Sequence, residues 1–173
     1  MKKQVFIING SGGVGKDTFV TMVSESANYN VMNFSSIDKI KEIAKIIGWN
    51  GKKTEKDRKF LSDLKLLCSD YNNLPFNSMN KRVKDFINSE NTMLFLHIRE
   101  PEEIEKAKAA FGAKTILVKR DSIKQITSNM ADSNVFNYEY DIIIDNDSDL
   151  KNFRKKAKKF VDDFNSNSIE SKY

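Results

Sequence analysis

The 173-residue chain has one cysteine, Cys68, and one histidine, His97. A lone thiol excludes an internal disulfide and cannot build a zinc cluster, and with a single imidazole, metal chemistry built from histidine and cysteine is excluded too. Arginine is scarce: Arg58, Arg82, Arg99, Arg120 and Arg154 are the whole set among 29 basic residues. The only two prolines, Pro75 and Pro101, read as a helix break and a helix start. No apolar run approaches the span of a membrane. Met1-Lys2-Lys3 leads into a strand and not a signal-peptide core, so a cytoplasmic protein without membrane contact is expected. Repeats and low-complexity linkers are missing as well.

What remains is a globular composition, 31% charged and 39% hydrophobic, long enough for one core and too short for two ordinary domains. The net charge of +5 raises the question of nucleic acid. The lysines are spread along the chain, however, and are dense only over 151–159. There Leu150, Phe153, Ala157, Phe160, Val161 and Phe164 keep a helical stripe, which leaves Lys155, Lys156, Lys158 and Lys159 mostly on the solvent side. Nucleic acid is therefore not expected as a partner. A modest basic charge also suits a protein that handles polyphosphates.

The chain is organised around Gly10-Ser11-Gly12-Gly13-Val14-Gly15-Lys16-Asp17-Thr18. It follows the apolar run Val5-Phe6-Ile7-Ile8 and precedes Phe19, Val20 and Val23 at helical spacing, the strand, glycine loop and helix of a phosphate-binding loop. Glycines let successive N–H groups turn inward toward phosphate oxygens, the helix N-terminus adds partial positive charge, and Lys16 supplies an ammonium for the β- and γ-phosphates. Where Ser or Thr normally ligates Mg²⁺, Asp17 stands, with Thr18 next. Asp17 can hold the metal directly or through water, or cap the helix; a carboxylate so near a triphosphate otherwise repels it.

Further along, Val31 to Phe34 reads as a second strand, and Ser35-Ser36-Ile37-Asp38 opens a helix with Ile37, Ile40, Ile43, Ala44 and Ile47 on one face. Thr54 to Asp57 looks like a capping signal for a long helix carrying Phe60, Leu61, Leu64, Leu67, Cys68 and Tyr71, broken over 72–77. Another helix carries Met79, Val83, Phe86 and Ile87. Thr92 to Ile98 is a continuous apolar strand suited to the middle of a parallel sheet. A helix from Pro101 to Gly112, a fourth strand at Thr115 to Val118, a fifth at Tyr140 to Ile144 and a final helix from Ser148 or Asp149 complete the pattern. The intervening 121–139 stretch is polar and short of core residues. Strands alternating with helices predict an α/β fold with a parallel sheet covered on both faces.

Several side chains fall where strands end, and ligands gather there in open α/β sheets. Asp38 can orient a hydroxyl, and Lys39 and Lys41 can grip an acceptor phosphate, or all of them belong to an ordinary capped helix. Arg58 and Lys65, seven apart, share a face of the long helix. His97 is a candidate general base or a buried, hydrogen-bonded histidine without catalytic work. Asp145-Asn146-Asp147-Ser148-Asp149 spaces acidic oxygens like a calcium loop but lacks the glycine and distal glutamate of one.

The Gly15-Lys16-Asp17-Thr18 ending resembles the bacteriophage deoxynucleoside monophosphate kinases and the animal phosphomevalonate kinases. Phe34 to Glu42 is similar to that family's Ser-x-x-Leu-Lys-Glu stretch, His97 to Glu103 to its Asp-x-Arg-x-Pro-x-Glu, and Asn146 to Leu150 to its Asn-Asp-Gly-x-Leu. The resemblance covers nearly all of the chain from Val5 to Phe164. It implies a three-layer P-loop fold with strand order 2-3-1-4-5, a kinase domain over 1–165 with acceptor-side helices at about 36–88 and a lid at about 121–139, and a flexible tail at 166–173. It implies ATP and Mg²⁺ as cofactors and phosphotransfer to a small phosphorylated acceptor, first a (deoxy)nucleoside monophosphate. A phosphomevalonate-like acceptor, or a nucleotide-binding regulator with little transfer activity, stays open, as does a homodimer. By residue, it implies Lys16 and Arg99 as catalytic, beside which His97 and Asp38 are the catalytic candidates read from the residues themselves, with Gly10 to Thr18 on the ATP phosphates. Asp17 and Thr18 would hold the metal, Arg120 and Asn146 the adenine, and Lys41, Arg58 and Arg99 the acceptor. Lys124 is the one lid cation. His97 stands where the family has aspartate, and Ser148 where it has glycine.

Overall fold

The computed structural model describes residues 3–122 and 134–173. Its apolar runs become strands β1 (Gln4–Asn9), β2 (Val31–Ser35), β3 (Met93–His97), β4 (Lys114–Lys119) and β5 (Ile142–Asp145). All pair in parallel in the order β2-β3-β1-β4-β5, the order that the resemblance implies. The register sets His97 level with Ile8 on one side and Ser35 on the other, so its side chain leaves the sheet where three strands end.

Side-chain alternation along the strands sorts the core onto two faces. Phe6, Ile8, Phe95, Ile116, Val118 and Ile144 point to helices α1 (Lys16–Ser26) and, at the far end of the chain, Leu150–Asn165. Phe6 stacks on Phe95 at 5.3 Å and meets Phe160 edge-on at 5.2 Å, while Phe19 meets Phe160 edge-on at 5.5 Å. Each ring so buried contributes roughly 1.5–3 kcal/mol. Val5, Ile7, Leu94 and Leu96 point the other way, to Met79, Val83, Phe86, Ile104 and Ala107. The result is a three-layer α/β fold with helices on both sides of one sheet.

The helices over the second face and beyond it are α2 (Asp38–Ile46), α3 (Glu55–Asn72), α4 (Leu74–Ile87) and α5 (Pro101–Phe111); Leu150–Asn165 is then α6. Thr54 caps α3 through a reciprocal box with Asp57, as the sequence suggested. The break after it is narrower than expected. A single residue, Asn73 with φ 56°, turns the chain, and Pro75 falls inside the first turn of α4. The expected stripes of α2 and α3 are also only partly covered. Ile40, Ala44 and Leu61 are buried, whereas Ile47, Leu67 and Tyr71 are exposed. These helices pack mainly on one another and on α4 instead of lying on the sheet, so a narrow seam is enclosed.

Two stretches depart from their sequence reading. Within 121–139, Val135 is fully buried in a short 3-10 turn (Asn134–Asn137). The terminal residues, expected to fray, instead run along the outer edge of β5. Ile143 donates to Ser171 at 2.8 Å, Tyr173 to Ile143 at 2.9 Å and Asp145 to Tyr173 at 3.0 Å. An edge strand offers unpaired backbone groups, and this segment satisfies them while burying the Tyr173 ring against Phe160.

Candidate functional site

The glycine loop begins where β1 stops. Asn9 is 1% exposed, and its carboxamide makes a three-way junction. Its oxygen accepts the Gly10 N–H at 2.8 Å, and its nitrogen donates to the Arg99 carbonyl at 3.2 Å and the Tyr140 hydroxyl at 2.7 Å. Tyr140 in turn donates to the Val135 carbonyl at 2.9 Å. Burial pushes the Tyr140 phenol up to about 12, against the opposing effect of the Asn9 bond, so the hydroxyl keeps its proton.

From there the loop lies flush against β4. A Cβ on Gly10 (φ 146°) would sit 2.3 Å from the Val118 carbonyl oxygen. Over Gly13 (φ 81°) the opposite holds, with no heavy atom within 4 Å of a Cβ position. Gly15 leads into α1 and has no side chain with which to cap it. The Ser11 hydroxyl is buried without a hydrogen-bond partner. The Lys16 ammonium folds back and donates to the carbonyls of Gly10 and of Ser11, the latter at 2.8 Å. Open space over glycine, a helix start without a side-chain cap, an orphaned hydroxyl and an ammonium beside the loop carbonyls fit a bound polyphosphate.

Toward β4 and β5 the loop borders a groove of about 270 Å³, lined by Gly13, Thr18, Arg120, Asn146 and Ser148 among others. Asn146 donates its backbone N–H to Lys119 at 2.9 Å and its side-chain amide to the Val14 carbonyl at 2.8 Å. Its carboxamide therefore pins the loop from the side. Arg120 is exposed at the rim, with Nε donating to Ser122 Oγ at 3.2 Å. Ser122 is itself held by Asp147 at 2.9 Å. The Ser148 hydroxyl, on the groove wall, has no partner.

On the other flank, toward β2, His97 is the meeting point. Its imidazole is 14% exposed, with Nε2 2.8 Å from Asn33 Oδ1 and 3.8 Å from an Asp17 carboxylate oxygen. Asp17 itself is 91% exposed at its side chain, so the carboxylate leans from the start of α1 into open solvent. Burial pushes the imidazole below the ordinary histidine range; Asp17 and Asp38 act to raise it, Lys16 and Lys41 to lower it. Those four names place the glycine loop and the β2–α2 turn within electrostatic reach of one ring. Asp38 accepts the Ser35 N–H at 2.8 Å and the Lys41 ammonium at 3.3 Å, and Ser36 donates to the His97 carbonyl at 3.1 Å.

The remaining candidates are scattered. Arg99 is half-buried just past β3, its carbonyl on Asn9. Arg58 uses Nε on the Lys53 carbonyl at 3.3 Å, at the exposed start of α3. Lys65, on the face it was expected to share with Arg58, instead bridges to Glu103 on α5 at 2.7 Å, both largely covered. Lys124 lies outside the described residues. The sequence reading missed Asn9, Asn33 and Tyr140, which belong to no motif; a polar residue ending a buried strand was the only available signal for Asn9.

No protein-family model matches the chain, and no curated protein matches it. Solved structures overlap it loosely, two of them as follows. Shikimate kinase from Aquifex aeolicus aligns over 95% of this chain and 99% of its own, at 14% identity and a TM-score of 0.48. Thymidylate kinase from Ehrlichia chaffeensis aligns over all of this chain and 86% of its own, at 13% identity and a TM-score of 0.34. The functional reading rests on the loop and its two flanks.

Proposed function

We propose that the protein is an ATP-dependent phosphotransferase acting on a small phosphorylated acceptor, with a (deoxy)nucleoside monophosphate first among acceptors. The observation that carries this is the open, uncapped glycine loop with a groove on one flank and the His97, Asp38 and Lys41 group on the other. A polyphosphate in the loop would direct its base into the Arg120–Asn146 groove and its terminal phosphate toward the second flank. MgATP, when bound, supplies the phosphoryl group and a metal that neutralises its oxygens.

The chain's own residues have separable tasks in this reading. Loop N–H groups and the Ser11 hydroxyl bind phosphate oxygens, and Lys16 leaves the Gly10 and Ser11 carbonyls to meet them. Asp17 fits the metal, because Mg²⁺ is commonly held by one or two carboxylates plus substrate phosphate and water. That sharing is needed: among the described residues no group of three or more His, Cys, Asp and Glu side chains converges on a metal position. Thr18, by contrast, lines the nucleotide groove. Lys41, released from Asp38, and Arg99 neutralise the acceptor phosphate. Catalysis is positioning and charge neutralisation.

The test is ADP release from MgATP with a panel of nucleoside monophosphates, phosphomevalonate and a no-acceptor control. Stimulation by one monophosphate, abolished in Lys16→Ala with an unchanged circular dichroism spectrum, is the expected result. Unchanged turnover in Lys16→Ala would sink the assignment. A response to phosphomevalonate alone would move the acceptor to a non-nucleotide phosphate, and a flat panel with ATP bound would identify a regulator.

A further inference from the structure

We propose that His97, with Asp17 and Asn33, is a direct ligand of the nucleotide-bound metal, giving the site a mixed nitrogen–oxygen donor set that favours Mn²⁺-like ions over Mg²⁺. This rests on the phosphotransferase reading for the remaining ligands, which the nucleotide's phosphate oxygens would supply.

The geometry comes from three separate elements. Asp17 opens α1, His97 ends β3, and Asn33 stands on β2 in the register of its neighbour strand. Around Nε2, the Asn33 carboxamide oxygen is at 2.8 Å and the Asp17 carboxylate oxygen at 3.8 Å. Donors sharing one ion at about 2.1 Å stand about 3 Å apart when adjacent in an octahedron and about 3.4 Å in a tetrahedron. The observed pair of distances brackets both values, so small side-chain rotations bring the three atoms onto one ion. Asp17 has the freedom to make that move, being exposed, while the ring is held in place by the strands around it.

The surrounding charges allow it. Facing the ring are Lys16 on the loop and Lys41 on α2, set against Asp17 and Asp38. Lys41 already pairs with Asp38, and Lys16 rests on loop carbonyls that it would exchange for phosphate. A divalent ion between Asp17 and the phosphates therefore adds charge where anionic oxygens outnumber free cations. Proton balance is simple: Nε2 gives up its hydrogen to the ion's approach, Nδ1 takes one from solvent, and the neutral ring changes tautomer without net release. Mg²⁺ prefers six oxygens, whereas an imidazole shifts preference toward first-row transition ions. One imidazole is enough for this, because carboxylate, carboxamide and phosphate fill the other positions.

Having one histidine makes the test unambiguous. Untagged protein labelled with ¹⁵N only at histidine is loaded with Mn²⁺ and a non-hydrolysable ATP analogue, and pulsed electron paramagnetic resonance reads the nuclei bonded to the metal. The expected result is a directly bonded ¹⁵N coupling, lost in His97→Gln. In His97→Asp, the ratio of analogue affinity in Mn²⁺ to that in Mg²⁺ should fall about tenfold. If the analogue binds and no ¹⁵N coupling appears, the metal-ligand role is overturned and the phosphotransferase reading stands. If the analogue binds with neither metal, the phosphotransferase reading fails. The metal-ligand role, which takes its remaining ligands from the nucleotide, is then overturned with it.

Discussion

Replacing Gly10 and Gly13 by alanine, one at a time, separates the loop's structural duty from its binding duty. The two backbones are both in conformations that favour glycine, but their surroundings are opposite. At Gly10 the new methyl meets the Val118 carbonyl oxygen at 2.3 Å and a Val14 methyl at 2.9 Å, so β4 or the loop must move. The strained backbone costs about 1–3 kcal/mol and the overpacking about 1–3 kcal/mol more. That is a large share of a typical stability of about 5–15 kcal/mol. At Gly13 nothing is within 4 Å, which leaves only the left-handed backbone cost, about 1–2 kcal/mol, reduced by roughly 0.4–1 kcal/mol because alanine stiffens the unfolded chain. Urea denaturation should therefore show a midpoint drop of about 1 M or more for Gly10→Ala and well under 1 M for Gly13→Ala, using a slope of about 2 kcal/mol per molar. Calorimetric titration with an ATP analogue should show that Gly13→Ala, although stably folded, has lost most of its affinity, because the methyl fills the space assigned to phosphate. Equal midpoint shifts would refute the packing argument. Wild-type nucleotide affinity in Gly13→Ala would refute the placement of the phosphates.

Tyr140→Phe removes the donor to Val135 and the acceptor for Asn9, and should cost about 1–3 kcal/mol by urea denaturation; unchanged stability would mean the junction is not load-sharing. Asp141 governs part of the acid response. Burial raises its carboxyl, but the Thr115 amide, Lys108 and the Thr115 hydroxyl outweigh that and hold it below the ordinary carboxylate range. A depressed carboxyl contributes stability above its unfolded pKa and loses it as pH falls through the folded value. Asp141→Asn should therefore flatten stability against pH below about 4. Because the Lys108–Asp141 pair is partly exposed, the Thr115 bonds should carry most of the effect, and a steep dependence on salt between 0.05 and about 0.5 M would contradict that division.

The sheet was legible because its signals are redundant. Val5 to Ile8 and Met93 to Leu96 are apolar on both faces, as only central parallel strands are, and each run ends at a glycine loop or at Pro101. The α2–α3 region was read less well for a physical reason. Apolar periodicity reports that a helix forms, not how much of its stripe is covered, and Ile47, Leu67 and Tyr71 keep the period while standing in solvent. The terminal segment failed in the opposite sense. It docks through backbone hydrogen bonds, the Tyr173 ring and the single apolar side chain Ile169, too few apolar positions to set a period in the otherwise polar stretch from Ser166 to Lys172.

Within the site the division is sharper still. Lys16, Asp17 and the glycines announce themselves because phosphate binding constrains both residue type and spacing. The side chains that hold the loop in shape are asparagines: Asn9 at its entry, Asn146 against its middle, and Asn33 on the histidine beside it. A carboxamide is suited to these places since it donates and accepts at once and adds no charge next to an anion. The same versatility makes asparagine common in turns and caps, so position in sequence cannot distinguish a buried junction from an exposed one. Only the three-dimensional register does so, by setting Asn9 beside Arg99 and Tyr140, and Asn33 beside His97. Any reading of the chemistry from motifs alone therefore finds the groups that touch phosphate and passes over the uncharged ones that decide where the charged groups stand.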